Sequence, residues 1–172
     1  ITESAGKIDE NYYRNPKFNY QLADSEKKMM LWDKNVVFFP RRINGNLVFL
    51  HRIRPGIQIV SINNLEELTK GFWDDYFHHL HEYIVLDPVY RHESSYIGSG
   101  SPPIETEHGW LLIYHGVEST ENSNIYSACA ALLDLNDPHK VIARLPYALF
   151  SPQYEWELKG EVNNVVFPTG TA

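Results

Sequence analysis

Tyr96-Ile97-Gly98-Ser99-Gly100-Ser101-Pro102-Pro103-Ile104-Glu105-Thr106-Glu107-His108-Gly109-Trp110-Leu111-Leu112-Ile113-Tyr114-His115-Gly116 is the stretch on which the reading of this chain turns. A glycine-loosened loop leads into a Pro-Pro corner, His108-Gly109 makes a tight turn, and an apolar strand follows. Trp110 to Ile113 is a continuous apolar run, long enough for a strand buried on both faces. That strand ends by presenting the His115 imidazole beside Gly116. A lone histidine at the mouth of a strand is most often structural. A functional reading therefore needs support from the rest of the chain.

The support is a repeat. Val36 to Pro40 reads as a short buried strand closed by proline, Asn44-Gly45 as a hairpin turn, and Asn46 to Arg52 as the returning strand. Arg54-Pro55-Gly56 turns the chain again, and Ile57 to Ile62 alternates as a third strand. Leu65 to Gly71 reads as a helical turn, the aromatic and histidine-rich stretch Phe72 to Glu82 is ambiguous, and Glu82 to Leu86 reads as a fourth strand. The order then restarts with Pro103, a turn, Trp110 to His115, a polar loop over Glu118 to Asn124, Ile125 to Leu135, and Lys140 to Arg144. Pro40 and Pro103 stand 63 positions apart, and the same offset carries Leu47 onto Trp110 and Arg52 onto His115. A third copy opens at Val165-Val166-Phe167-Pro168, its proline 65 positions after Pro103.

A repeat of this length holding about four strands predicts an all-β fold of β-propeller blades. The copies begin near residues 35, 98 and 163. Coincidence among short apolar strands is the alternative. Equivalent positions of successive blades face the same place, so Arg52 and His115 are expected to share one channel. Two cation-capable groups converging there are costly unless an anion satisfies them. Residues Ile1 to Lys28, with turn signals at Ala5-Gly6 and Asn15-Pro16, read as a connection from something upstream. Two and a fraction blades leave a ring unclosed, so residues 1–172 are expected to be a single partial propeller segment of a longer protein.

Composition narrows the function classes. A net charge of −7 without a basic patch argues against nucleic acid as a partner. No run of 18 apolar residues is present, so no membrane-spanning helix is expected. The 11 Tyr, 8 Phe and 4 Trp suit a β-rich fold and a sugar-binding surface alike. Cys129, the single cysteine, excludes an internal disulfide and is compatible with a reducing compartment. The first residues resemble no signal peptide, and the expected location is cytoplasmic.

Residues 96 to 117 resemble the signature of glycoside hydrolase family 130, the β-mannoside phosphorylases and some β-mannosidases, whose fold is a five-bladed propeller. Val37-Phe38-Phe39-Pro40-Arg41-Arg42-Ile43-Asn44-Gly45 with Leu50-His51-Arg52 is similar to the family's preceding blade. Val162 to Gly170 is similar to the following one. The resemblance implies inverting phosphorolysis: phosphate attacks the anomeric carbon while an aspartic acid protonates the glycosidic oxygen through a sugar hydroxyl, giving α-mannose 1-phosphate. That aspartate belongs to a Glu-Asp-Pro-Arg-like motif that does not occur in this sequence, so the catalytic acid is not assigned.

The same resemblance places phosphate binding on Lys34, Arg52, Tyr96 and His115. Lys34 and Tyr96 depart from the family pattern, since many members carry arginine and lysine there. Lys34 in solvent and Tyr96 as a packed wall are the plainer readings. Substrate contacts fall on Gln58 near the acceptor sugar, Glu93 toward a mannose hydroxyl or a water, and Phe167 as an apolar platform. Plain strand or core roles are the alternatives for Gln58 and Phe167. The expected partners are a β-mannosyl oligosaccharide and inorganic phosphate as co-substrate, with no metal and no other cofactor. Self-association into a homo-oligomer stays open, as do the β-1,2 or β-1,4 linkage and the acceptor sugar. The competing functions are a β-mannosidase using water and a non-catalytic glycan-binding propeller.

Overall fold

Asn44-Gly45 folds as its sequence dictates. Both residues take positive φ, 50° and 86°, and Ile43 and Asn46 exchange two backbone hydrogen bonds of 3.0 Å across the turn. In the computed structural model, which describes residues 2–3 and 30–171, this turn joins the first two strands of a sheet. Two-residue strands β1 (Thr2–Glu3) and β2 (Met30–Leu31) pair with each other. The rest of the segment read as an upstream connection lies outside the described residues.

The first large sheet is an antiparallel meander of β3 (Lys34–Phe38), β4 (Leu47–Arg52), β5 (Ile57–Ile62) and β6 (Ile84–Leu86), in that order. The second repeats the pattern with β7 (Tyr96–Ser99), β9 (Gly109–Ser119), β10 (Asn124–Leu133) and β11 (Val141–Arg144), again antiparallel between neighbours. A short strand, β8 (Ile104–Thr106), also pairs with β9. The two predicted copies thus fall into two separate sheets, one of four strands and one of five, with the same order along the main path.

Three differences from the sequence reading stand out. Tyr96–Ser99, expected as loop, is a strand, because β9 offers it a complete partner from Tyr114 to Val117. Ser101-Pro102-Pro103 then interrupts the edge, since proline has no N–H to give the ladder. The ambiguous stretch becomes helix α1 (Lys70–His78) and a 3-10 turn over Leu80–Tyr83. Thr69 caps the helix, its hydroxyl accepting from Phe72 N–H at 3.3 Å. The opening of the third copy makes one parallel bridge, Val165 to Tyr126, rather than a strand of its own.

Alternation along β4 sorts two cores. Val48 and Leu50 face the second sheet, where they join Trp110, Leu112, Tyr114 and Leu133. Phe49 faces the other way, with Val60 and Ile62, against Tyr76 and Phe77 of α1. His51 shares that face: its ring bridges Asp33 Oδ1 at 2.9 Å and Tyr76 Oη at 2.7 Å. The run Trp110–Ile113 is buried on one face only. Trp110 and Leu112 are sealed, while Leu111 and Ile113 are partly exposed.

Trp110 is the largest side chain of the core between the sheets, edge-on to Phe39 with centroids 5.1 Å apart and its indole N–H on Leu135 O at 3.0 Å. Trp110→Ala is expected to lower unfolding free energy by about 3–5 kcal/mol. Urea unfolding checks it, and a loss below about 1 kcal/mol would mean the sheets do not depend on this contact.

Candidate functional site

Gly98 of β7 stands opposite His115 of β9 in the ladder. Directly paired residues of an antiparallel ladder share a face, so a side chain at 98 would compete with the imidazole for space. A Cβ there would lie 2.7 Å from His115 Cε1, 2.8 Å from His115 Nε2 and 3.0 Å from Arg52 Cδ. Glycine therefore lets Arg52, from the first sheet, and His115, from the second, approach over one point. Both are deeply buried, at 5% and 1% exposure. The convergence expected from their 63-position offset is present in the structure.

Aromatic rings surround the two. Guanidinium groups from both Arg52 and Arg54 lie against the Tyr96 ring, their Cζ atoms 4.8 and 3.7 Å from its centroid. Tyr96 Oη shares a 2.8 Å hydrogen bond with Tyr126 Oη. The Phe167 ring packs on His115 at 4.3 Å between centroids and remains 41% exposed.

Burial, and then the charge of Arg54, lower the proton affinity of Arg52. Burial, followed by the charges of Arg52 and Arg54, pushes His115 down to about 3. Arg52 Nε and His115 Nδ1 are buried with no hydrogen-bond partner among the described residues. An oxyanion would repair all of this at once. It would accept from the guanidinium and, by favouring imidazolium, turn His115 into a second charged donor.

The other predicted residues are placed differently. Lys34 pairs with Arg52 in the ladder, but its side chain is exposed, with Nζ over the Trp32 ring at 4.4 Å. Gln58, expected near an acceptor sugar, is fully buried, and both ends of its amide engage the Ile53 backbone: Oε1 accepts from N at 2.7 Å and Nε2 donates to O at 2.9 Å. It braces the bend that carries Arg52 and Arg54. Glu93 is also sealed from solvent. Its carboxylate accepts from Val89 N–H at 3.0 Å, Tyr90 N–H at 3.1 Å and Tyr114 O–H at 2.7 Å, and Arg144 Nη2 lies 2.8 Å away. Burial alone would push its pKa up. The donors from Val89, Tyr114 and Tyr90 and the charge of Arg144 outweigh that and hold it below the usual value. In these positions Gln58 and Glu93 organise the protein rather than face a ligand.

Arg54 and Tyr126 were not singled out by the sequence. Arg54 was read only as part of a turn, although its spacing of two from Arg52 was the available signal. Among the described residues, His92, Glu93 and Cys129 could in principle hold a metal, their ligand atoms lying within 4.8 Å of one another. The Glu93 oxygens are already taken, and burial pushes the Cys129 thiol up to about 12, so this set does not suit a cation.

His115 sets a pH dependence with a definite sign. Its folded pKa is depressed, so the unfolded chain takes up a proton first as pH falls below about 6.5. The stability this neutral imidazole contributes is present above that pH and lost on the way down to about 3. Without phosphate the slope from this group is about 1.4 kcal/mol per pH unit. Urea unfolding between pH 7 and 4.5 should show a shallower loss for His115→Gln than for the unaltered protein. Equal slopes would contradict the assignment.

A family model described as beta-1,4-mannooligosaccharide phosphorylase, that of glycoside hydrolase family 130, matches residues 9–172. A 1,2-beta-oligomannan phosphorylase of Thermoanaerobacter sp. (strain X514) is 40% identical over 154 residues, covering 88% of this chain and 48% of that protein. A beta-1,4-mannooligosaccharide phosphorylase of Ruminococcus albus is 36% identical over 152 residues, covering 85% and 42%. The structure of Listeria innocua beta-1,2-mannobiose phosphorylase with beta-1,2-mannobiose superposes with a TM-score of 0.62 at 33% identity, over 80% of this chain and 37% of that one. The chain thus spans about half the length of the curated relatives it matches, or less. A match running through both sheets and the buried cluster, with identity of this order, shows that the chain belongs to glycoside hydrolase family 130.

Proposed function

We propose that the protein is an inverting β-mannoside phosphorylase and that the Arg52–His115 cluster holds its phosphate. The supporting observation is the pair of buried polar atoms without partners, Arg52 Nε and His115 Nδ1, in a cluster of cations. Among the described residues, neither Arg52 nor Arg54 forms an ion pair with a carboxylate. A neutral sugar does not compensate such charge, whereas an oxyanion does. That contrast counts against a non-catalytic glycan-binding module. Phe167, against His115 and partly open, suits an apolar wall for the mannose ring beside the phosphate.

In the proposed reaction a phosphate oxygen forms a bond to the anomeric carbon as the glycosidic C–O bond breaks. The departing oxygen takes a proton, giving α-mannose 1-phosphate and an acceptor shortened by one sugar. Arg52 and His115 hold and orient the nucleophile; the acid that supplies the proton is assigned to no residue of this cluster. Inorganic phosphate is the only co-substrate required. Hydrolysis by the same family fold would need a carboxylate base for water. Glu93 is a poor candidate, because two backbone amides, Tyr114 and Arg144 already hold its oxygens. The two large sheets are read as two of five propeller blades, with a third copy opening near 163. β-Mannosyl oligosaccharides are the substrate class, and a cytoplasmic location fits the reading.

Mannobiose incubated with the full-length protein should be cleaved only when inorganic phosphate is present, with mannose 1-phosphate as product. Equal cleavage without phosphate, releasing free mannose, would contradict the proposal. Arg52→Ala should raise the apparent phosphate KM by roughly 30-fold or more, as expected for loss of a charged partner in a partly desolvated anion site.

A further inference from the structure

Arg54 carries more than a turn. It lies two residues beyond Arg52, just past the end of β4, and the backbone between them is fixed from two sides. Gln58 clamps Ile53 through both ends of its amide. Ile97 N–H, next to Tyr96 in β7, donates to Pro55 O at 2.9 Å. This bracket ties the Arg52–Pro55 segment to β7, and it brings both guanidinium groups onto the same phenol ring, at 4.8 and 3.7 Å from its centroid. One arginine over Tyr96 is an ordinary cation–π contact. Two of them, with no carboxylate paired to either among the described residues, repel each other, and the bracket keeps them there.

We infer that Arg54 is a second guanidinium ligand of the anion held by Arg52 and His115, with Tyr96 as the platform that sets the spacing of the two arginines. The inference rests on the phosphorolysis reading above. Burial distinguishes the two arginines: Arg52 is 5% exposed, while Arg54 is only partly buried and so lies nearer to solvent. Each planar fork can take two oxygens of a tetrahedral oxyanion, which a spherical anion such as chloride cannot reproduce. The Tyr96–Tyr126 hydroxyl pair adds polar character at the same edge without adding charge.

Steady-state kinetics of the full-length enzyme test this, with inorganic phosphate and the mannoside varied separately. Arg54→Gln is expected to raise the apparent phosphate KM about tenfold or more and to leave the mannoside KM near its original value. Arg54→Lys should recover part of the loss, because an ammonium keeps the charge without the fork. Thermal melts separate a ligand from a purely structural role. Removing one of two opposed charges should leave the phosphate-free Tm unchanged or higher, while the rise in Tm on adding phosphate shrinks. An unchanged phosphate KM in Arg54→Gln, alongside a raised one in Arg52→Ala, would overturn the inference and leave phosphorolysis standing. A lowered phosphate-free Tm with an undiminished phosphate-dependent rise would also overturn it. Phosphate-independent cleavage by the unaltered enzyme would instead remove the phosphorolysis reading, and this assignment with it.

Discussion

The side chain missing at position 98 is the constraint on which the cluster depends. A Cβ there would meet His115 at 2.7 Å and Arg52 at 3.0 Å, so any other residue would force one of them away. The ladder makes this unavoidable, because β7 and β9 hold positions 98 and 115 directly opposite each other. Sheet pairing, not loop flexibility, is therefore what demands the glycine. The same ladder carries Tyr96 to the place where the arginines of the first sheet can lie over its ring. One backbone position joins two sheets, two cations and an aromatic wall.

Two buried charge systems sit in this part of the molecule, and they differ in the counter-charge each is given. The Glu93 carboxylate has its counter-charge within the protein: two amides, a tyrosine hydroxyl and the Arg144 guanidinium surround it, and Arg144 also donates to Tyr114 Oη at 2.9 Å. Removing one member of such a set typically costs about 3–5 kcal/mol, as expected of a structural element. Around Arg52 and His115 two buried polar atoms have no partner among the described residues. Each unsatisfied buried group costs about 1–3 kcal/mol, a substantial share of the 5–15 kcal/mol by which a domain is typically stable. The difference is one of counter-charge: the Glu93 carboxylate faces Arg144, while Arg52 and Arg54 face no carboxylate among the described residues.

The sequence made much of this legible, for physical reasons that differ by element. Asn44-Gly45 could be read because the turn needs two positive-φ residues, and few residue pairs supply them. The shared position of Arg52 and His115 followed from the repeat offset, since equivalent strands carry equivalent side chains. Tyr96–Ser99 was hidden by Gly98, the adjoining Gly100 and the Pro-Pro corner, local loop signals that pairing to β9 overrides. Helix α1 was obscured by aromatic residues that favour strands, and its formation rests on packing Tyr76 and Phe77 against the first sheet. Gln58 and Glu93 were legible as polar residues at family positions, but not as residues whose polar atoms are engaged within the protein. Glu93 and Arg144 are far apart in sequence, and only the second sheet brings them together.

The phosphate reading requires an anion in the cluster, and a crystal structure of the full-length protein grown with inorganic phosphate would show it. A phosphate within hydrogen-bond distance of both Arg52 and His115 is expected there, with the Glu93–Arg144 pair unchanged. Phosphate bound elsewhere, with the Arg52 and His115 side chains satisfied by protein groups or water alone, would contradict it.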